Sequence, residues 1–357
     1  MDRTRIPVAS PSRAKSEDEY RAASALLALS PYVPAHDLPS ELLRRHYGVA
    51  GSVSVLASEF ERTLGVEAAD GKQLILKLSD RPEAWGSFRF QSTVLRQLEK
   101  TSDLQLPRVL ATLDGKGMFG DAEVSGYLQT RITGMPLHAL EPTAHLMWQV
   151  GATLARLGQA LCGVDAPASD RPVLWQIGTW PWLKELRPSL PSGPTADLIE
   201  AALADYLFRI EPCIGELDWQ ITHNDPSPFN MFQTDSGIAF IDFGDGGWNP
   251  RIQDLAIAAG HFVTDSRQPL GGAAPIIAGF HAVQPMTQLE MRLLVGLIRA
   301  RQSALILINH WRAEIFPHDA HYIKKNVRRA ETGLMILSAL DAEAGERAVL
   351  SATTYAA

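Results

Sequence analysis

Within HNDPSPFNMFQTDSGIAFIDFGDGG (His223–Gly247), Asp225 is followed by Asn230 five residues on and by Asp242 twelve after that. An amide and a carboxylate are hard oxygen donors, which suit Mg²⁺, an ion that commonly shares its shell with substrate phosphates. Thr234-Asp235-Ser236-Gly237 is turn chemistry between two apolar runs, so a tight hairpin is expected there. Centring its loop on Ser236 sets Thr234 opposite Ile238, Phe232 opposite Phe240 and Asn230 opposite Asp242. Opposed residues of an antiparallel pair share a face with Cβ atoms roughly 4.5–5.5 Å apart, close enough to hold one ion. Asp225, in a loop stiffened by Pro226 and Pro228, can face the same cleft without binding metal. Lys77 in LILKL stands at a strand end between apolar residues, where its ammonium can hold a phosphate as a compact cation. The plainer alternatives are turn-capping carboxylates and an exposed edge lysine.

The elements that must position these groups follow from periodicity. Tyr20 to about Ser30 is helical, and Leu38–Gly48 is a second short helix that Pro39 and Ser40 open and Gly48 closes. Alternation on either side of Asp70-Gly71 predicts a hairpin. Gly86–Lys100 returns to helical spacing, and Pro107–Thr133 offers two or three more strands. Past Gly134–Pro136 the chain is mainly helical; TADLIEAALADYLFRIEPCIGEL and HYIKKNVRRAETGLMILSALDAEAG each read as one helix. The fold class is α+β in two lobes: residues 19–130 a small antiparallel sheet crossed by a helix, residues 131–357 a larger helical lobe, with a hinge near Gln129–Gly134. Residues 1–18 read as a disordered tail, polar and without the apolar core of a secretory signal.

Composition narrows the functions. A chain of 357 residues exceeds what one core usually serves, and 46% apolar content is that of a globular protein. The net charge of −7 and the shortness of the basic clusters at Arg44-Arg45 and 324–329 argue against nucleic acid. Cys162 and Cys213 form no CxxC motif, which fits a reducing cytoplasm better than a disulfide framework or zinc site. The apolar run Leu293–Asn309 carries Arg299 and Arg301, so it reads as a core helix and not a membrane span. Nothing in the chain specifies an oligomeric state.

His223-x-Asp225-x-x-x-x-Asn230 followed by Asp242-Phe243-Gly244 resembles the catalytic-loop and metal-loop signature of the protein-kinase-like fold. The chain is similar to the aminoglycoside phosphotransferase and choline kinase superfamily, above all to its hydroxylysine kinase branch. The shared runs are LLRRHYGVAG, LASEFERTLGV, DGKQLILKLSD, IDFGD…DLAIA and RARQSALIL, across roughly residues 20 to 340. The resemblance implies ATP between the lobes, Lys77 on its α- and β-phosphates, Asn230 and Asp242 on Mg²⁺, and Asp225 as the base for an acceptor hydroxyl. It places adenine against backbone groups around Thr130 to Ile132. ASEFERTLGV (Ala57–Val66) has no glycine before Gly65, so backbone amides and the hydroxyls of Ser58 or Thr63 would cover the phosphates. Gln91 stands where a glutamate commonly pairs with the lysine. Asp254 follows Asp242 too soon for a peptide-binding activation segment, and is expected to brace the catalytic loop.

The acceptor is expected to be a small hydroxylated amine or amino acid. Asp245 suits a cation, and Arg301 could meet a carboxylate unless it is a structural ion pair. Hydroxylysine fits both; aminoglycoside phosphotransferase and homoserine kinase are the alternatives, with a weakly catalytic nucleotide-binding regulator as the other class. Trp248 and Trp311 could line the pocket and Trp175, Trp180 and Trp182 could form a lid, core packing being the plainer role for all five.

Overall fold

The computed structural model of the chain describes residues 15–30, 32–56, 58, 61–102, 104–121 and 123–355. Helices α1 (Glu17–Leu27) and α2 (Leu38–Tyr47) precede strands β1 (Gly51–Val55), β2 (Arg62–Ala68) and β3 (Gln73–Ser79). Helix α3 (Pro82–Thr101) crosses the sheet, which β4 (Phe119–Gly120) and β5 (Ser125–Thr130) complete in the order β1-β2-β3-β5-β4, each pair antiparallel. The two-residue period divides the work of β3. Leu74, Leu76 and Leu78 pack with Leu42, Leu43, Leu64 and Val66, while Gln73, Ile75 and Lys77 on the other pleat line an interlobe cleft.

The larger lobe starts with β6 (Met135–Pro136) and α4 (Ala144–Leu161), then a 3₁₀ segment (Ile177–Ser189) and α5 (Pro194–Asp205). Strands β7 (Trp219–Thr222), β8 (Met231–Thr234), β9 (Gly237–Phe240) and β10 (Gly247–Pro250) form two small sheets, β10-β7 and β6-β8-β9. Helices α6 (Ile252–Gly260), α7 (Ala274–Val283) and α8 (Gln288–Ile315) follow, then α9 (Ala320–Ile323), α10 (Val327–Ser338) and α11 (Ala342–Thr353). Helices α4 and α7 meet backbone to backbone: a Cβ on Gly151 would lie 2.0 Å from the Ile276 carbonyl oxygen, and one on Gly279 2.0 Å from that of Trp148. The capping box of Thr287 and Glu290 opens α8, whose apolar stretch is buried in the core. Among the described residues no helix is long and apolar enough to cross a membrane.

Three expectations change. The expected tail is placed from Lys15 onward, residues 1–14 lying outside the described range. Ser16 and Glu19 form a capping box, Lys15 Nζ donates to the Asp170 carbonyl (2.9 Å), and the Tyr20 ring stacks on Trp182. Thus α1 lies against the larger lobe, although its residues precede the small one. Helix α5 ends at Asp205, where the chain passes through a π turn (Tyr206–Ile210) into a 3₁₀ turn (Glu211–Glu216) whose Pro212 has no amide proton to continue a helix. The late helical stretch is broken by the 3₁₀ turn Lys324–Asn326, and again at Asp341, whose carboxylate caps α11 through the Ala344 amide (2.8 Å).

Candidate active site

The hairpin forms, one residue out of the expected register. Thr234 pairs with Gly237, Gln233 with Ile238, Phe232 with Ala239 and Met231 with Phe240, so Asp235-Ser236 is a two-residue loop. Asn230 therefore stands opposite Ile241, whose amide donates to the Asn230 carbonyl (2.9 Å), and Asp242 lies beyond the ladder. A one-residue slip turns side chains to the opposite face. Asp242 reaches the cleft through its backbone instead: φ is 62°, a left-handed conformation costly for a non-glycine residue. Asn230 and Asp242 both line the cleft.

The loop before β8 is braced from α6. The Asp254 carboxylate accepts the amides of His223 (2.9 Å) and Asn224 (2.7 Å), and Gln253 donates to Asn224 Oδ1 (2.6 Å). These bonds hold Asn224 at a left-handed φ of 63°. Burial raises the Asp254 pKa to about 6 even against the two amides. His223, fully buried, is pushed down to about 4 chiefly by desolvation; its Nε2 contacts the Ile241 carbonyl (2.9 Å) and Nδ1 accepts the Asp225 amide (3.3 Å). A neutral imidazole thus ties the loop to the hairpin. Asp225 emerges on the cleft side, its Oδ2 receiving Asn230 Nδ2 at 2.6 Å and its Oδ1 lying 3.7 Å from the Arg301 guanidinium.

Lys77, 3% exposed, meets three oxygens: Glu61 Oε1 at 2.5 Å, Asp242 Oδ1 at 2.8 Å and Gln91 Oε1 at 3.0 Å. Burial disfavours its ammonium, but Asp242 and Glu61 outweigh that and hold its pKa well above the ordinary 10.5. Burial likewise opposes ionised Asp242, whose carboxyl Lys77 and the Gly244 amide keep below its ordinary value. The lysine's second carboxylate comes from Glu61, at the threshold of β2, and not from α3. Sequence reasoning passed over this residue, yet the signal was present: Thr63 faces Lys77 across β2–β3, and Glu61 lies two residues from Thr63 on the same pleat.

These groups open on a cleft of about 990 Å³ that Ser58, Thr63, Thr130, Ile132, Asp245 and Arg301 also line. Ser58 Oγ lies 3.4 Å from the Thr63 amide it accepts. At the hinge the Thr130 amide donates to Arg108 and the Arg131 amide to Gln73, so neither donor faces the cleft. Arg171, absent from the expected set, donates to the Gly244 carbonyl (2.5 Å) and lies over the Phe90 ring; burial lowers its pKa to about 10. Trp175 lines the cleft beneath the Arg301 guanidinium (4.7 Å), whereas Trp180 packs on Tyr206 and Trp182 on Tyr20. Trp248 and Trp311 are packed against the core. Ala23, Leu26 and Leu27 of α1 add an apolar wall.

The donor set fits a hard divalent ion. Asp242 offers a carboxylate that is 48% exposed, and Asn230, its amide nitrogen engaged by Asp225, has its amide oxygen to offer. Among the described residues no group of three or more histidine, cysteine or acidic side chains could cage a metal alone. An ion held here would need further oxygens from substrate or water.

A profile described as "Phosphotransferase enzyme family" matches residues 52–288, well over half of the chain. Hydroxylysine kinase of Danio rerio is 22% identical over 327 residues, covering 86% of this chain and 91% of the relative. That of Mus musculus is 22% identical over 243 residues, 63% of this chain and 64% of the relative. Among solved structures, amicoumacin kinase in complex with AMP-PNP and Ca²⁺ has a TM-score of 0.61 at 14% identity, covering 87% of this chain and 96% of its own. A microcompartment-associated aminopropanol kinase has a TM-score of 0.58 at 19% identity, with 88% and 100% covered. Both share the two-lobed kinase-like architecture, and the chain, a small-molecule kinase, belongs to the phosphotransferase enzyme family.

Proposed function

We propose that the protein transfers the γ-phosphate of Mg-ATP to a hydroxyl of a small amine or amino acid, with hydroxylysine the favoured acceptor. The supporting observation is the convergence of Lys77, Asn230, Asp242 and Asp225 on one cleft. Lys77 would hold phosphate oxygens and Ser58 and Thr63 would cover them. Asn230 and Asp242 would hold Mg²⁺, which when bound neutralises phosphate charge. The purine edge would take its donor from Ile132 onward, since the amides of Thr130 and Arg131 are spent. Asp225 accepts a hydrogen bond from the acceptor hydroxyl. As the hydroxyl oxygen bonds to the γ-phosphorus and the bond to the β–γ bridging oxygen breaks, the proton passes to Asp225 and ADP departs.

The acceptor end of the cleft carries both signs. Asp225 and Asp245 face it together with Arg171, Arg301 and Lys325. That mixture suits a zwitterion with amine, carboxylate and hydroxyl better than a polycationic antibiotic, and the Danio rerio and Mus musculus relatives carry the name of such a kinase. Release of ADP from Mg-ATP should be measured against hydroxylysine, homoserine, choline and an aminoglycoside panel. Turnover with hydroxylysine alone supports the reading; turnover with aminoglycosides alone replaces its acceptor; ATP binding without turnover overturns it in favour of a regulatory role, and absence of ATP binding overturns both.

A further inference from the structure

We propose that Glu61 is the positioning residue that aims Lys77 at the nucleotide's phosphates, so that the acidic half of the lysine's ion pair is carried by the phosphate-side loop and not by the crossing helix. This rests on the kinase reading above. Both acids line the cleft, but Asp242 cannot fill the role if it is to hold a divalent ion, because its side chain is 48% exposed against 9% for that of Glu61. Glu61 is 7% exposed and held on both oxygens, Oε1 by Lys77 at 2.5 Å and Oε2 by Gln91 Nε2 at 3.4 Å.

Gln91 completes the arrangement. Its Oε1 accepts from Lys77 (3.0 Å) and from the Tyr127 hydroxyl (2.9 Å), and its Nε2 also donates to Ser87 Oγ (2.9 Å). An amide here binds lysine and glutamate at once; a second carboxylate beside Glu61 would be repelled. A buried lysine with two acids also retains a neutral pairing when one of them turns to a metal, whereas a lysine with Asp242 alone would be left an uncompensated buried cation.

The test compares the parent with Glu61→Gln and with the exchange variant Glu61→Gln/Gln91→Glu, which moves the carboxylate onto the helix. ATP affinity is measured by calorimetry in EDTA, which isolates the lysine–phosphate contact, and kcat and KM for ATP are measured with Mg²⁺. Losing a hydrogen bond to a charged partner should weaken ATP binding in EDTA and reduce kcat/KM roughly ten- to hundredfold, and the exchange variant should recover most of both. Parent-like values in Glu61→Gln overturn the inference, and so does tighter ATP binding, which would mark Glu61 as a competitor of the phosphates. Should Glu61→Gln fail to fold, the exchange variant decides: parent-like ATP affinity supports the inference and lost affinity overturns it. A parent that neither binds ATP nor releases ADP removes the kinase reading itself, a separate outcome.

Discussion

The Asn230 amide nitrogen donates to the Asp225 carboxylate at 2.6 Å and to the Asp225 carbonyl at 3.1 Å. One side chain thus fixes the proposed base through its nitrogen while its oxygen remains for an ion. The two roles of the loop are mechanically joined, and substitutions within it should separate chemistry from folding.

Asp225→Ala removes the proton acceptor without opening the core. Turnover should fall on the order of a thousandfold with little change in melting temperature. Steady-state kinetics alongside a thermal melt check this; a well-folded variant with near-parental kcat would sink the assignment of Asp225.

Lys77→Met strands Glu61 as a buried acid without its cation. A loss of about 3 kcal/mol is expected, along with loss of ATP binding. Adding Glu61→Gln should restore much of the stability and none of the activity. Urea unfolding of both variants reads the difference, and equal stability in the two would show that the pair matters little to folding.

Arg301→Ala probes acceptor choice. If the guanidinium meets a carboxylate, KM should rise at least about tenfold for an acceptor that has one and stay level for an amino alcohol lacking it. An equal fall in kcat for both acceptors would place the action of Arg301 on Asp225, 3.7 Å away.

Acid should destabilise the fold through its buried histidines. His223 titrates near 4 folded against 6.5 ordinarily, so the unfolded chain binds more protons between those values and stability drops as pH falls through them. Asp254 acts oppositely: at about 6 folded against 3.8, it binds its proton first in the native state, which favours folding as pH falls over that window. Asp254→Asn should lower stability at pH 7, since one amide cannot accept both N–H groups, and should steepen the further loss between pH 6 and 4. Denaturant unfolding across that range tests it; an unchanged slope would contradict the opposing role.

Much of the site was legible because its spacing is local. Asp225, Asn230, Asp242 and the brace from Asp254 follow from one loop, one hairpin and one helix start. The hairpin register was missed because Asp235-Ser236 closes a two-residue loop, and the left-handed turn at Asp242 that compensates leaves no mark in composition. Glu61 was overlooked because the charge opposite Lys77 was sought on the helix, though strand alternation placed it nearby. The start of α1 read as tail although Ser16 and Glu19 form a capping box legible in the sequence; the Lys15 that precedes it is held by partners 155 and 167 residues away, its ammonium by Asp170 and its carbonyl by Trp182. No periodicity reports a contact of that range.

The matched family segment begins at residue 52 and ends at 288, yet Leu26 and Leu27 on one flank and Arg301, Asn309, Tyr322 and Lys325 on the other line the cleft. All the side chains proposed to handle phosphate fall inside that segment, while these walls are built from its margins. A fragment trimmed to residues 52–288 would retain those side chains but lose two sides of the chamber, together with the core helices α2 and α8 that support it. Changes at the margins can therefore reshape what enters the cleft, and of the four residues on the later flank Arg301 is the one that also reaches the proposed base, 3.7 Å from Asp225.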